Sequence, residues 1–377
     1  MHVVIIANGF QKDYIKNLVN NLVKVVDRLD FIASDLYSEE EFNVNVRFEN
    51  LRGSHDENVG PWLKVRRMVR YYRKLFSYLR REKPDAVHIQ WIRFSFLDGI
   101  IFHSILRIAG QKLIYTAHDA LPHDRETFLN RWIFSLVYRI CHVIVVHTRF
   151  LRERLIDEFG LPSGKIRVVK HGVYEIKHLY TREESRAKLD IDPGDHVFLF
   201  FGYIKPYKGL DLLLEAFHEL EKNQNHISLL IAGKIWEPYR EECMHLFSRF
   251  SGEKVIRKLG FIPDEELSYY FNASDVTVMP YQEASQSGVM FMSYAHGVPV
   301  IVPNLGGFAD DILPEKTGLL CKVSDVNSLK DNMKKSITLF GKDKDQIEKD
   351  VKKFAWDNYS WHRTSLDLKE IYSFFSK

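Results

Sequence analysis

The chain has 377 residues, 45% of them hydrophobic and 27% charged, with a formal net charge of +3. That length is generous for one core and ordinary for two domains, and the composition excludes a disordered or fibrous chain. Three scattered cysteines, Cys141, Cys243 and Cys321, supply neither a disulfide framework nor a metal-ligand spacing. The start "MHVVIIANGF" carries no basic leader, and no apolar run approaches the length needed to span a bilayer, so a reduced, cytoplasmic protein is expected. The charge is unevenly divided. Residues 1–175 hold 27 Lys and Arg against 20 Asp and Glu, and the rest holds 26 against 30. Only the first half is therefore expected to meet an anionic surface.

In chain order, the first half offers the strands "HVVIIA", "DAVHIQ", "KLIYTA", "HVIVVH" and "IRVVK". These are near-continuous apolar runs, suited to a parallel sheet covered on both faces, with helical segments between them. Before the second strand, residues 62–84 read "WLKVRRMVRYYRKLFSYLRREKP". Val65, Met68, Val69, Tyr72, Leu75, Phe76 and Leu79 recur at helical spacing and are expected to pack on the sheet. Arg66, Arg67, Arg70, Arg73, Lys74, Arg80 and Arg81 take the other side, which suits anionic lipid headgroups. An ordinary solvated basic helix is the competing reading, and no base-reading module points to nucleic acid. The run "KLIYTAHDALPHD" sets His118 and Asp119 just after a buried strand, with His123 and Asp124 as weaker candidates behind them.

A polar stretch with Gly and Pro, residues 171–195, marks the seam between two complete strand series. Asp190 and Asp192 within it imitate a metal-binding pair, but Pro193 and Gly194 behind them argue for a capped turn. The second half repeats the alternation with "HVFLFFG", "ISLLIAG", "VIRKLG", "DVTVMP" and "PVIVP". Two doubly wound α/β domains follow, with a ligand expected in a cleft between them at the carboxyl ends of the strands. Helical spacing from about residue 345 to the end breaks near "DNYSW", so two helices are expected there.

Two loops in the second half could hold an anion. In "FLFFGYIKPYKGLDLLLEAF" a strand ends at Gly202, a loop carries Lys205 and Lys208, and Gly209 starts an amphipathic helix. Two ammonium groups beside a helix start form a diphosphate site; two solvated loop charges are the alternative. In "YQEASQSGVMFMSYAHGVPVIVPNLGG" a helix begins near Ser287, Gly288 and Val289, and its free amides could face the same anion. Glu283 and Gln286 stand in the loop ahead of it.

These two stretches, in this order and with "AHGVPVIVPNLGG", resemble the retaining glycosyltransferases of the GT-B fold, family 4, over most of the chain. The resemblance implies two Rossmann-like domains facing across a cleft. Residues 1–174 would form the acceptor side and 175–358 the donor side, with a final helix from about 359 to 377 packing back on the first domain. It implies a nucleotide-diphosphate sugar of UDP or GDP type as substrate, with no metal and no other cofactor. In the family a basic pair binds the diphosphate. Lys208 fits that role, and Lys205 stands in for the usual arginine, whose place Tyr203 takes. His118 would line the reacting centre, Phe261 and Ile262 would meet the nucleobase, and Glu266 could serve the ribose. Two departures stand out. The family's two glutamates separated by seven residues fall on Ala284 and Met292, and its Gly-Gly loop after the first strand is reduced to Gly9.

The expected reaction is hexosyl transfer with retention of configuration, to a glycan acceptor that is lipid-linked, for instance on polyprenyl diphosphate, or membrane-proximal, at the inner face of the cell membrane in surface polysaccharide synthesis. A catalytically inactive sugar-nucleotide-binding subunit is the alternative that the missing glutamates keep open. A dinucleotide-dependent oxidoreductase is set aside, because neither half has the required Gly-x-Gly-x-x-Gly turn.

Overall fold

The computed structural model describes residues 1–7, 11–54, 56, 60–92, 94–121, 127–176, 180–283 and 287–376. The chain forms two compact units. One comprises Met1–Gly172 with Tyr359–Lys377, the other Val173–Asn358.

The first unit is built on seven parallel strands: β1 (His2–Ile6), β2 (Arg28–Ile32), β3 (Val46–Glu49), β4 (Ala86–Ile89), β5 (Leu113–Thr116), β6 (Val143–Val146) and β7 (Ile166–Val168). Their order is β3-β2-β1-β4-β5-β6-β7, the reversal about β1 that marks a doubly wound sheet. Its helices are α1 (Lys12–Leu22), α2 (Pro61–Glu82), α3 (His103–Ile108), α4 (Phe128–Ile140) and α5 (Arg149–Phe159). A π-helical turn, Leu97–Phe102, runs directly into α3. Helices α2 to α5 share one core with one face of the sheet, around Leu75, Leu79, Leu106, Val137 and Leu155. On the opposite face Tyr14, Ile15, Leu18 and Val19 of α1 pack with Trp361, Leu368, Ile371 and Tyr372.

The second unit contributes α6 (Arg182–Leu189), β8 (His196–Phe201), α7 (Leu210–Glu221), β9 (Ile227–Gly233), α8 (Arg240–Arg249), β10 (Val255–Leu259), α9 (Leu267–Ala273), β11 (Val276–Val278), α10 (Gly288–Ala295), β12 (Val300–Pro303), β13 (Gly318–Cys321) and α11 (Val326–Gly341). Its six parallel strands run β10-β9-β8-β11-β12-β13. Helix α12 (Lys344–Tyr359) ends where α13 (Trp361–Ser373) begins, and the Ser360 hydroxyl caps α13 by accepting from the Arg363 amide.

Three differences from the sequence reading have physical causes. Strands β2, β3 and β13 are short segments, and β3 and β13 are edge strands. "RLDFI" carries Asp30 and "VRFE" carries Arg47, so neither shows a continuous apolar run. The polar seam contains α6, which packs on α9 within the second unit. Its start was legible: Thr181 and Glu184 form a reciprocal capping box. Its buried Arg186 bonds Asp275 at 2.9 Å, where Arg182 and Lys344 also converge at 2.6 and 2.8 Å. The third correction concerns α2. Val65 and Val69 are exposed, and burial begins only at Tyr71, continuing through Leu75, Tyr78 and Leu79. Apart from half-buried Met68, the apolar residues of 62–70 lack the packing that their spacing suggested.

Candidate active site

Strand β8 ends at Phe201, and Gly202 follows with φ 107°, a conformation reserved in practice for glycine. A Cβ built there would lie 3.2 Å from the Lys208 Nζ and 3.4 Å from the Val289 Cγ2. One point at the carboxyl end of β8 therefore gathers the glycine, the second lysine and the first turn of α10. Lys208 is only 8% exposed, and its ammonium lies 5.3 Å from the centre of the Tyr281 ring. The Tyr281 hydroxyl in turn approaches the Ser287 Oγ at 3.4 Å. Ser287 precedes α10 in extended conformation, so the Gly288 and Val289 amides have no intrahelical acceptor and carry the positive end of the helix dipole. Positive charge and free donors on one small surface suit a phosphate-bearing ligand.

The loops that make this surface are locked together. The Gln282 amide donates to the Tyr207 carbonyl at 2.7 Å. Gly209, with φ 70°, leaves room for the Pro280 carbonyl, from which an added Cβ would stand 2.1 Å. Gly233 ends β9 in the same manner, with the Gly202 carbonyl 1.9 Å from its would-be Cβ. Gly209→Ala is expected to destabilise the second unit by at least about 2 kcal/mol, combining left-handed strain with a backbone collision. Denaturant unfolding checks this, and a wild-type midpoint would refute it.

The remaining candidates fall unevenly around this point. Lys205 is half-buried and its Nζ lies 5.3 Å from the Trp236 ring and 5.8 Å from the Tyr203 ring, so its described contacts differ from those of Lys208. Phe261 is 80% exposed after β10, whereas Ile262 packs on the apolar cluster of Leu199, Leu230 and Phe271. Met292 and Val289 join the same cluster, so the place of the family's second glutamate is occupied by a packed apolar side chain. Glu283 is exposed, and Glu266, also exposed, stands directly before α9 without a side-chain capping hydrogen bond. Ala284 and Gln286 lie outside the described residues, as do Gly9, His123 and Asp124. The Asp192 carboxylate accepts from the Gly194 amide at 2.7 Å, the local capped turn anticipated from its neighbours.

In the first unit, His118 follows β5 and stacks on Trp91, with ring centres 4.3 Å apart and planes 5° from parallel. Tyr14 meets it edge-on at 5.0 Å, and His147 lies 5.1 Å away. The His147 Nδ1 donates to the Val169 carbonyl at 2.8 Å, which leaves its Nε2 facing the Tyr14 hydroxyl at 3.3 Å. Burial pushes the His118 pKa well below its usual value, and nearby His147, His171 and His88 push it further. The ring is thus neutral near pH 7, and its Nε2 is shielded from solvent without a hydrogen-bond partner among the described residues. A neutral, poised nitrogen can donate to or accept from a ligand hydroxyl. Asp119 is half-buried beside it. Sequence reasoning missed Trp91, Tyr14 and Tyr281; only Tyr281 had a signal, lying directly after Pro280 at the end of the "DVTVMP" run.

Two family models account for most of the chain. Glycosyltransferase Family 4 matches residues 11–175, and Glycosyl transferases group 1 matches residues 181–353. The chain belongs to this glycosyltransferase family. An uncharacterized glycosyltransferase of Methanocaldococcus jannaschii is 24% identical over 369 residues, covering 95% of this chain and 92% of its own. A lipopolysaccharide 1,2-N-acetylglucosaminetransferase of Salmonella typhimurium is 25% identical over 237 residues, covering 60% of this chain and 61% of its own. Among solved structures, Anabaena HepE in complex with UDP-glucose superimposes with a TM-score of 0.75 at 15% identity, covering 99% of each chain. The fold of this glycosyltransferase is accordingly GT-B, with two Rossmann-like parallel-sheet domains.

Proposed function

We propose that this glycosyltransferase moves a hexosyl group, with retention of anomeric configuration, from a nucleotide-diphosphate sugar of UDP or GDP type to a lipid-linked or membrane-proximal glycan. The observation that carries the reading is the convergence of Gly202, Lys208 and the first turn of α10 at the end of β8. The Lys208 ammonium and the Gly288 and Val289 amides stabilise charge that develops on the leaving diphosphate. The acceptor hydroxyl attacks from the face the diphosphate leaves, and a phosphate oxygen takes its proton. The ammonium supplies the positive charge at the leaving group, so this scheme uses no metal. Neutral His118 would hydrogen-bond a sugar hydroxyl, with Asp119 beside it on the acceptor side, and exposed Phe261 offers a face to the nucleobase. Lys205 would add a longer-range positive charge.

The donor class is supported by a structural relative solved with UDP-glucose, and the acceptor class by a relative that acts in lipopolysaccharide synthesis. The basic side of α2, with Arg66, Arg70, Arg73 and Lys74 exposed, supports peripheral association with the inner face of the cell membrane, at about 1 kcal/mol per basic group near an anionic surface. A second reading, a donor-binding subunit without catalysis, is favoured by the packing of Met292 where the family has a glutamate.

Thermal stabilisation by UDP, GDP, ADP and their sugars tests the donor site. At about 100 times its dissociation constant one nucleotide class should stabilise the protein by about 2.7 kcal/mol. That stabilisation should collapse in the Lys205→Ala/Lys208→Ala variant. A stabilised wild type that turns over no sugar donor would favour the second reading. No stabilisation by any of them would remove both.

A further inference from the structure

Residues 62–70 of α2 form an amphipathic helix segment whose apolar side is largely open, with only Met68 half-buried. Trp62 is 87% exposed, Val65 47% and Val69 49%. The same holds for neighbouring segments. Phe96, just before the π-helical turn, is 52% exposed, and Phe128 and Trp132 at the start of α4 are 88% and 50% exposed. These segments are neighbours on one face of the first unit's sheet. Tyr72 of α2 lies 4.7 Å from Phe102 in the π-helical turn and bonds Asp98 there, and α4 packs on the same turn and on α3.

Topology decides which end of the sheet these side chains occupy. Each of these helices connects parallel strands and runs against them, so its amino terminus lies at the carboxyl edge. His118 follows β5 at that edge too. Charge decides the partner. Arg66, Arg70, Arg73 and Lys74 are exposed and pair with no carboxylate among the described residues. A second copy of this face would set one basic helix against another, which is repulsive, whereas an anionic bilayer offers phosphates for the cations and an apolar interior for the aromatic rings.

We propose that the carboxyl edge of the first unit, formed by the amino ends of α2 and α4 with Phe96 between them, docks by insertion into an anionic lipid bilayer. Trp62, Val65, Val69, Phe96, Phe128 and Trp132 enter the headgroup–acyl boundary while the α2 cations hold lipid phosphates. This goes beyond a charged helix resting on a surface, and it rests on the acceptor reading above in one respect: docking would bring a membrane-borne acceptor to the edge that holds His118.

Vesicle sedimentation tests the proposal with the full chain. Wild type should pellet with phosphatidylcholine vesicles containing about 30% phosphatidylglycerol, and far less with phosphatidylcholine alone. Insertion predicts that a fraction stays bound at about 0.5 M salt, where exposed charges are screened. Tryptophan emission should shift to the blue on binding. Trp62→Ser/Phe128→Ser, at two solvent-facing positions, should lose the salt-resistant fraction at least about tenfold and keep wild-type thermal stability. Arg66→Gln/Arg70→Gln should weaken binding at low salt while leaving the blue shift of the bound fraction. Failure to pellet at low salt overturns the proposal. So does binding that salt fully reverses and that Trp62→Ser/Phe128→Ser leaves unchanged, or a change in oligomeric mass in place of a change in vesicle binding. Nucleotide stabilisation measured on the same variants separates the two readings: vesicle binding without any nucleotide response would sink the transferase and leave docking intact.

Discussion

Lys208→Ala is expected to lower turnover by about 100- to 1,000-fold, the usual loss when a preorganised donor to a developing anion is removed. Lys208 is nearly buried and held over Tyr281 and Gly202, so its charge acts where water is scarce and screening is weak. Binding of the donor should weaken as well, by about 1.5–3 kcal/mol for one lost charge-assisted hydrogen bond. Lys205→Ala should cost much less, because Lys205 is more exposed and lies over Trp236 and Tyr203. Steady-state kinetics and nucleotide titration on the two single variants check the ranking. Equal losses, or a larger loss for Lys205→Ala, would mean that the diphosphate sits on the other side of the loop.

Acidification from about pH 6.5 towards 4 is expected to unfold the first unit ahead of the second. Burial lowers the pKa of His88 and His171 to about 3 and that of His103 and His147 to about 4, and pushes His118 down as well. The second unit has two such groups, His196 and His296, each lowered to about 4. Between the folded and unfolded pKa of a histidine the unfolded chain binds the extra proton. Stability is therefore full above about 6.5 and falls as the pH drops, by about 1.4 kcal/mol per pH unit for each group. Several histidines titrating together exceed the stability of an ordinary domain within two pH units. The buried carboxylate Asp30 does not blur this window. Burial would raise Asp30, but hydrogen bonds from His2, Arg28 and Tyr78 outweigh it, so its contribution is lost only below the usual carboxylate range. Hydrogen exchange followed by region against pH reads the order of opening. Equal protection of both units between pH 6.5 and 5 would refute it.

The sequence by itself determined the strand–helix alternation, the two lysines in the loop after "FLFFG", the glycines that let that loop close, and the break between α12 and α13. Each is a local matter: periodicity, a backbone conformation only glycine tolerates, or a capping residue. "KLIYTAHDA" likewise placed His118 after a buried strand. Strand β2 and the edge strands β3 and β13 were illegible, because a short strand gains its place from neighbours rather than from its own pattern. Only the tertiary structure decided that Lys208 rather than Lys205 meets Gly202 and Val289, since the direction of a long side chain depends on what packs around it. It also decided that Trp91 lies flat on His118, a pairing of two strand ends that no sequence spacing encodes. The same holds for α2. An apolar stripe shows that a helix has a face to bury, but not whether the protein covers all of it; here the cover begins at Tyr71, and Trp62, Val65 and Val69 are left exposed.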